Sequence, residues 1–343
     1  MNRSLAWIGV SVAVAAACAG IFVLPPAHPV SADGRPSGSS RAGSPALVSP
    51  SSGMARLSSL QGRAGLVPPE RPLSSSAGEL PQVTSGHVFV GVAVKGAIVP
   101  GVRSFRRTTG ARIAMVEIYT PFGARFPWRT LHEVTSTGAH PLMQWNPRGS
   151  SLARIVAGRY DTYLRHYARS ARRFRRRIVL SFGHEMNGTW NSWGAGHVRP
   201  STFVAAWRRI HHIFRRAGVR NVSWSWDPSH VGEPPRPWWP GRHYVGRIGI
   251  DGYQRPGNTF AQIFAKRLAY IRRFTSKPIY IAETSVSPSA HQARQIIGLF
   301  NGVQKYHLSG FVWFDINRLR TWRLEGRPAA VRAFRRAVER MNG

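Results

Sequence analysis

From residue 88 onward, short apolar runs recur along the chain. They span residues 88–94, 113–119, 140–145, 177–183, 222–227, 245–253, 278–283 and 310–315. β-Branched and aromatic residues dominate them and few polar positions interrupt them. That is the pattern of parallel strands buried on both faces. Between the runs the apolar period changes. Leu152, Ile155, Tyr160, Tyr163, Leu164 and Tyr167 recur at helical spacing and predict one helix over 152–174. Phe203, Ala206, Trp207, Ile210 and Phe214 predict another over 202–217, stopped by Gly218. Residues 290–306 and 328–341 read as further helices, and Pro234, Pro235, Pro237 and Pro240 mark 228–242 as a long loop. Eight strands alternating with helices over about 250 residues predict a (β/α)8 TIM barrel. A doubly wound open sheet is the alternative, but no Gly-rich phosphate fingerprint supports it.

The start of the chain is patterned differently. A basic Met1-Asn2-Arg3-Ser4 precedes an almost unbroken apolar stretch over 5–24, which Pro25-Pro26 ends. Val30-Ser31-Ala32 then offers a small-x-small cleavage site. Residues 1–32 are therefore expected to be a signal peptide cleaved after Ala32. The alternative is an uncleaved anchor over 5–24. Both put the remainder outside the cytoplasm. Of the 53 residues 33–85, 27 are Ser, Gly or Pro and none is Phe, Trp, Tyr or Ile. Such a segment cannot bury enough surface to offset its ordering entropy, so a disordered linker is expected there. The barrel domain is then 86–343.

Composition adds limits. With 43% apolar residues and 12 Trp, 16 Phe and 9 Tyr, the chain can bury a sizeable core. A single cysteine, Cys18, excludes an intrachain disulfide and a cysteine metal site. The 13 histidines contain no His-x-x-x-His pair, so neither a metal nor a cofactor is expected. Charge is lopsided: 48 Lys+Arg against 14 Asp+Glu, a net +34. Only Lys95, Lys266, Lys277 and Lys305 are lysines; the other bases are arginine. Runs such as Arg172-Arg173-Phe174-Arg175-Arg176-Arg177 read as solvated helix faces. No nucleic-acid fold motif accompanies them, so no specific nucleic-acid partner is expected. The charge favours a monomer and adhesion to anionic cell-wall polymers.

In so acid-poor a chain, the placement of acids is informative. Glu117, Glu185, Asp227, Asp251, Glu283 and Asp315 all fall at or beside C-terminal ends of predicted strands. In barrel enzymes that end carries the chemistry. Glu185 follows the fourth strand and Glu283 ends the seventh, on facing sides of the mouth. Two carboxyls so placed can flank a glycosidic bond, one as acid, the other attacking or activating water. Trp145, Trp190, Trp193, Trp224, Trp226, Trp238, Trp239, Tyr253 and Trp313 supply aromatic faces on which sugar rings could stack.

Gly183-His184-Glu185-Met186-Asn187-Gly188-Thr189-Trp190 resembles the acid/base segment of glycoside hydrolase family 26, best known for endo-β-1,4-mannanases. Other segments resemble the same family in order and spacing. They are Gly158-Arg159-Tyr160-Asp161-Thr162-Tyr163, Asn221 to Pro228, Trp239-Pro240-Gly241 with Gly249 to Tyr253, Lys277 to Thr284, and Gly310 to Phe314. The resemblance implies a retaining mechanism in a (β/α)8 barrel, with Glu185 as general acid/base and Glu283 as nucleophile. It implies that Tyr253 hydrogen-bonds the nucleophile and that His184 contacts the sugar. Trp313 would form the platform under the sugar at the cleavage point, and Trp190 and Trp193 would line neighbouring subsites. Trp145 and Asp227 are further candidate substrate contacts. Ser181-Phe182 stands where well-known mannanases have Arg-Pro, so reaction type transfers better than substrate. The expected substrate is mannan. β-1,3-1,4-Glucan, β-1,3-xylan or a catalytically silent glycan-binding role are the alternatives.

Overall fold

The structure, a computed structural model, describes residues 88–317 and 321–342. The expected leader at 1–32 and linker at 33–85 lie outside the described residues. Eight strands form: β1 (Phe89–Val94), β2 (Ile113–Pro121), β3 (His140–Asn146), β4 (Ile178–Phe182), β5 (Val222–Trp226), β6 (Arg247–Asp251), β7 (Ile279–Thr284) and β8 (Gly310–Asp315). Each pairs in parallel with its sequence neighbours, and β8 closes on β1, giving a (β/α)8 barrel.

Helices return the chain between strands: α1 (Ile98–Thr109), α2 (Trp128–Ser136), α3 (Leu152–Val156), α4 (Asp161–Phe174), α5 (Pro200–Arg216), α6 (Phe260–Arg272), α7 (Gln292–Lys305) and α8 (Pro328–Asn342). Local chemistry sets their ends. Gly110 stops α1 in a left-handed conformation, φ 72°. Pro200 opens α5, and a Thr259–Gln262 capping box opens α6. The single helix expected over 152–174 is two. The break is at Gly158, φ 79°, where a Cβ would stand 2.5 Å from Nη2 of Arg209. Arg209 uses that gap to reach both oxygens of Asp161, each at 2.8 Å. The proline-rich stretch 228–242 holds only one 3-10 turn, Arg236–Trp238.

Strand alternation sorts side chains into two layers. One set faces the helices and merges with Phe105, Tyr167, Trp207, Phe264, Phe300 and Phe334 in the main core. The other faces the barrel axis, where Met115, Leu142, Val179, Tyr280, Ala282 and Val312 pack with Phe89. Two residues further along the same strand faces stand Glu117, Gln144 and Ser181, all buried. The interior therefore turns from apolar to polar toward the C-terminal ends of the strands.

Candidate active site

The segment after β4 is bent tightly. Gly183 has φ 62° and Glu185 itself φ 52°, a left-handed conformation that is costly for a side-chain-bearing residue. Its neighbours hold it there. The Glu185 N–H donates to the Asp227 carbonyl at 2.7 Å. The Asn187 amide bridges to the β5 loop. Its Nδ2 donates to the carbonyls of Ser229, Val231 and Glu233, and its Oδ1 accepts from the Ser229 N–H at 2.8 Å. The turn aims the Glu185 carboxyl at Trp190, whose Nε1 donates to Oε2 at 2.7 Å.

Glu283 arrives by a different device. Tyr280 and Ala282 face the barrel axis, so strict alternation would turn Glu283 outward. The register breaks between β7 and both of its neighbours, beside this residue. Such irregularities re-aim side chains. Here Glu283 meets two phenols across the mouth: Tyr119 donates to Oε1 and Tyr253 to Oε2. These two donors replace water around its carboxylate.

Both glutamates are almost fully enclosed, Glu185 at 2% and Glu283 at 0% exposure. Burial pushes the Glu185 carboxyl up to about 8, and the negative charge of Glu283 adds to the rise, opposed by hydrogen bonds from Trp190 and Ser229. The other four acids are buried as well. Burial, then repulsion from Glu283, holds Glu117 and Asp251 well above the usual carboxylate range. Among the described residues, no ion pair compensates Glu117, Glu185, Asp227 or Asp251. Asp315 pairs at 3.9 Å with Arg323. A cavity of about 70 Å³ opens beside Glu185, Asp251 and Tyr253.

His184 lies in the same enclosure. Burial lowers its ring to about 4, so it is neutral near pH 7. Its Nδ1 meets Oδ1 of Asn146 at 2.9 Å, an acceptor, so Nδ1 carries the proton. Nε2 is then a buried acceptor with no protein partner.

Other expected contacts stand elsewhere. Trp313 points away from the mouth, fully buried against Phe334 of α8, so it is no platform for a sugar. The reason is parity: Val312 and Phe314 take the inward positions of β8. Trp145 is likewise turned outward, stacked on Tyr167 of α4 at 4.4 Å between centroids. Trp193 is buried under the loop, where its Nε1 donates to the His184 carbonyl at 2.8 Å. It braces the turn and lines no subsite. Asp227 is sealed inside the barrel, accepting from Ser225 Oγ and from the Gly249 N–H at 3.0 Å, and is a strut, not a substrate contact. Trp190 remains half-buried, in contact with the acid itself.

Two residues escape sequence reasoning. Tyr119 ends the second apolar run, two positions past Glu117 and on the same strand face. That parity was the available signal. Trp322 packs its ring 5.0 Å from that of Tyr253, in the loop after β8. No periodicity marks it.

Known proteins resemble this chain at two levels. The description "Glycosyl hydrolase family 26" matches residues 158–284, the segment that carries both glutamates. Endoglucanase H of Acetivibrio thermocellus is 28% identical over 263 residues, 69% of this chain and 29% of that protein. Mannan endo-1,4-beta-mannosidase A and B of Caldalkalibacillus mannanilyticus is 26% identical over 98 residues, 26% of this chain and 19% of that protein. The chain thus spans less than a third of the length of either relative. Among solved structures, a Cellulomonas fimi endo-beta-1,4-mannanase double mutant superposes with TM-score 0.60 at 16% identity, covering 74% of this chain and 70% of that one. The Bacteroides ovatus GH26 beta-mannanase BoMan26A does so with TM-score 0.59 at 15% identity, covering 77% and 92%. At these identities the superpositions speak for the barrel alone. Together with the motif order around Glu185 and Glu283, the sequence matches make this chain similar to glycoside hydrolase family 26 over the segment that carries both glutamates.

Proposed function

We propose that this chain is a retaining endo-β-glycosidase acting on a β-linked hexose polysaccharide. One observation carries the reading: two buried glutamates share the mouth in opposite surroundings. Glu185 is held protonated near neutral pH, with the Trp190 indole donating to its Oε2. Glu283 is an oriented carboxylate between two phenols. In the first step Glu283 attacks the anomeric carbon while Glu185 gives its proton to the departing glycosidic oxygen. The C–O bond breaks and a glycosyl ester forms on Glu283. In the second step Glu185, now a carboxylate, takes a proton from water. The water oxygen bonds the anomeric carbon and Glu283 leaves with its electron pair. As the ester forms, the charge that raises Glu185 vanishes, which suits its change from acid to base.

Mannan is the first candidate substrate. A β-glucan is the second, favoured by the much longer alignment to the relative named as an endoglucanase. The test is product release from glucomannan, galactomannan, mixed-linkage glucan, β-1,3-xylan and carboxymethylcellulose, with the anomer of the first product read by NMR. Retention of the β-anomer is expected, and inversion overturns the mechanism. Glu283→Ala should lose at least about 10⁴-fold in kcat on every substrate. Glu185→Ala should spare aryl glycosides with good leaving groups far more than the polysaccharide; equal losses would remove it from the acid role. We further propose that the protein acts outside the cytoplasm, on the strength of the apolar stretch 5–24 and Val30-Ser31-Ala32. N-terminal sequencing of the exported protein tests it.

A further inference from the structure

Charge in this barrel is divided by end. The uncompensated carboxyls gather at the C-terminal mouth. The opposite face is made of helix C-termini and the loops that lead into the strands, and it is arginine-rich. The last turns of α1, α4 and α5 each carry two arginines, and those of α6 and α8 one each. Among the described residues, Glu133 and Glu339 are the acids in the last turns of the helices.

The densest corner lies where α4 leads into β4 and α5 into β5. There Arg172, Arg175 and Arg220 line a shallow open groove of about 460 Å³, with Gly218 and Asn221 as its remaining walls. The geometry is built. Arg175 has φ 60° and turns the chain at the end of α4. Arg172 is anchored by Nη1 to the Ala217 carbonyl at 3.3 Å. Asn221 ties the corner together through the carbonyls of Ala171 and Arg176. The three arginines are exposed, and none belongs to any ion pair among the described residues.

We propose that this groove and the face around it bind a phosphodiester-linked polyanion of a cell envelope, through successive phosphates. Guanidinium groups match phosphate oxygens in paired hydrogen bonds. Three of them converging on one concavity fit a phosphate better than a neutral sugar, which carries no charge for them to meet. Among the described residues the face presents no exposed aromatic, and Val156 is the sole exposed large apolar side chain. A single-stranded nucleic acid would need rings to stack on, and a membrane would need apolar anchors. The arginine-rich end therefore docks on the polymer and leaves the opposite, catalytic mouth free for its own glycan.

The test is binding of the intact protein to poly(glycerol phosphate), polygalacturonate and duplex DNA across a salt series. Poly(glycerol phosphate) should bind most tightly. The triple variant R172A/R175A/R220A should lose roughly 10- to 100-fold in affinity and about two units of salt slope. A charge-matched control, R103A/R199A/R332A, alters exposed arginines elsewhere and should lose far less. Turnover of a soluble oligosaccharide should be equal in all three proteins, which keeps this result independent of the catalytic proposal. Equal losses in the two variants would reduce the effect to net charge and overturn the site. Tighter binding of DNA or polygalacturonate would overturn the polymer class.

Discussion

Glu185 is in a backbone conformation that side chains rarely adopt, and its carboxyl is buried beside a second carboxyl. Both conditions cost stability unless the surroundings hold them. The turn around Gly183, the Asp227 carbonyl and the Trp190 indole supply that support. The chemical return is a proton retained to about pH 8. The alkaline limb of kcat/KM should therefore lie near that pH, and Trp190→Phe, which removes a donor to the charged form, should move it upward. An unmoved limb would disconnect Trp190 from the acid. Tyr119 acts on the partner. Tyr119→Phe deletes one hydrogen bond to an ionised group, worth about 1.5–3 kcal/mol. The expected loss is roughly 10- to 100-fold in kcat with KM little changed. The same variant leaves Tyr253 in place, so complete inactivation would mean that Tyr119 does more than orient Glu283.

At the level of elements, parity and its violations arrange the mouth. β8 obeys alternation, so Trp313 belongs to the barrel–helix core. Trp313→Ala should cost about 3–5 kcal/mol of stability. A conservative Trp313→Phe should lower the thermal midpoint while leaving KM nearly unchanged; a large rise in KM at unchanged stability would restore the platform role. β7 departs from alternation, and that departure delivers Glu283 to the mouth. The loops after β4 and β5 act as one unit because Asn187 donates to three carbonyls and accepts from one N–H. Asn187→Ala leaves several of these buried groups unmet, at about 1–3 kcal/mol each. Thermal unfolding and kcat should fall together, since the clamp also fixes Glu185.

At the level of the whole molecule, a set of buried acids tunes stability against pH. Glu117, Glu185, Asp227 and Asp251 keep protons in the fold that the unfolded chain releases above its ordinary carboxylate range. The folded state then binds more protons, so these acids lower stability as pH rises toward their raised values. His184, His211 and His230, each lowered to about 4 by burial, act oppositely below the ordinary histidine value of 6.5. Between those ranges the two sets offset each other. Above about pH 6.5 only the acids remain, so the thermal midpoint should fall from there to about pH 8. Glu185→Gln should flatten part of that slope, and an unchanged slope would assign it to the other acids. What the sequence determined by itself was the periodic content: eight strands, the barrel, and six acids at one end of it. Those follow from local patterning, because burial on both strand faces selects apolar runs and catalysis selects carboxyls where they end. The motif order also singled out Glu185 and Glu283. The tertiary structure alone decided which aromatics reach the mouth, that Tyr119 and Trp322 join it, and that α3 and α4 part at Gly158. Those outcomes depend on strand parity, on register breaks and on side chains more than 40 residues apart in sequence, such as Arg209 and Asp161. No local window contains both members of such a contact, so only closure of the barrel could settle them.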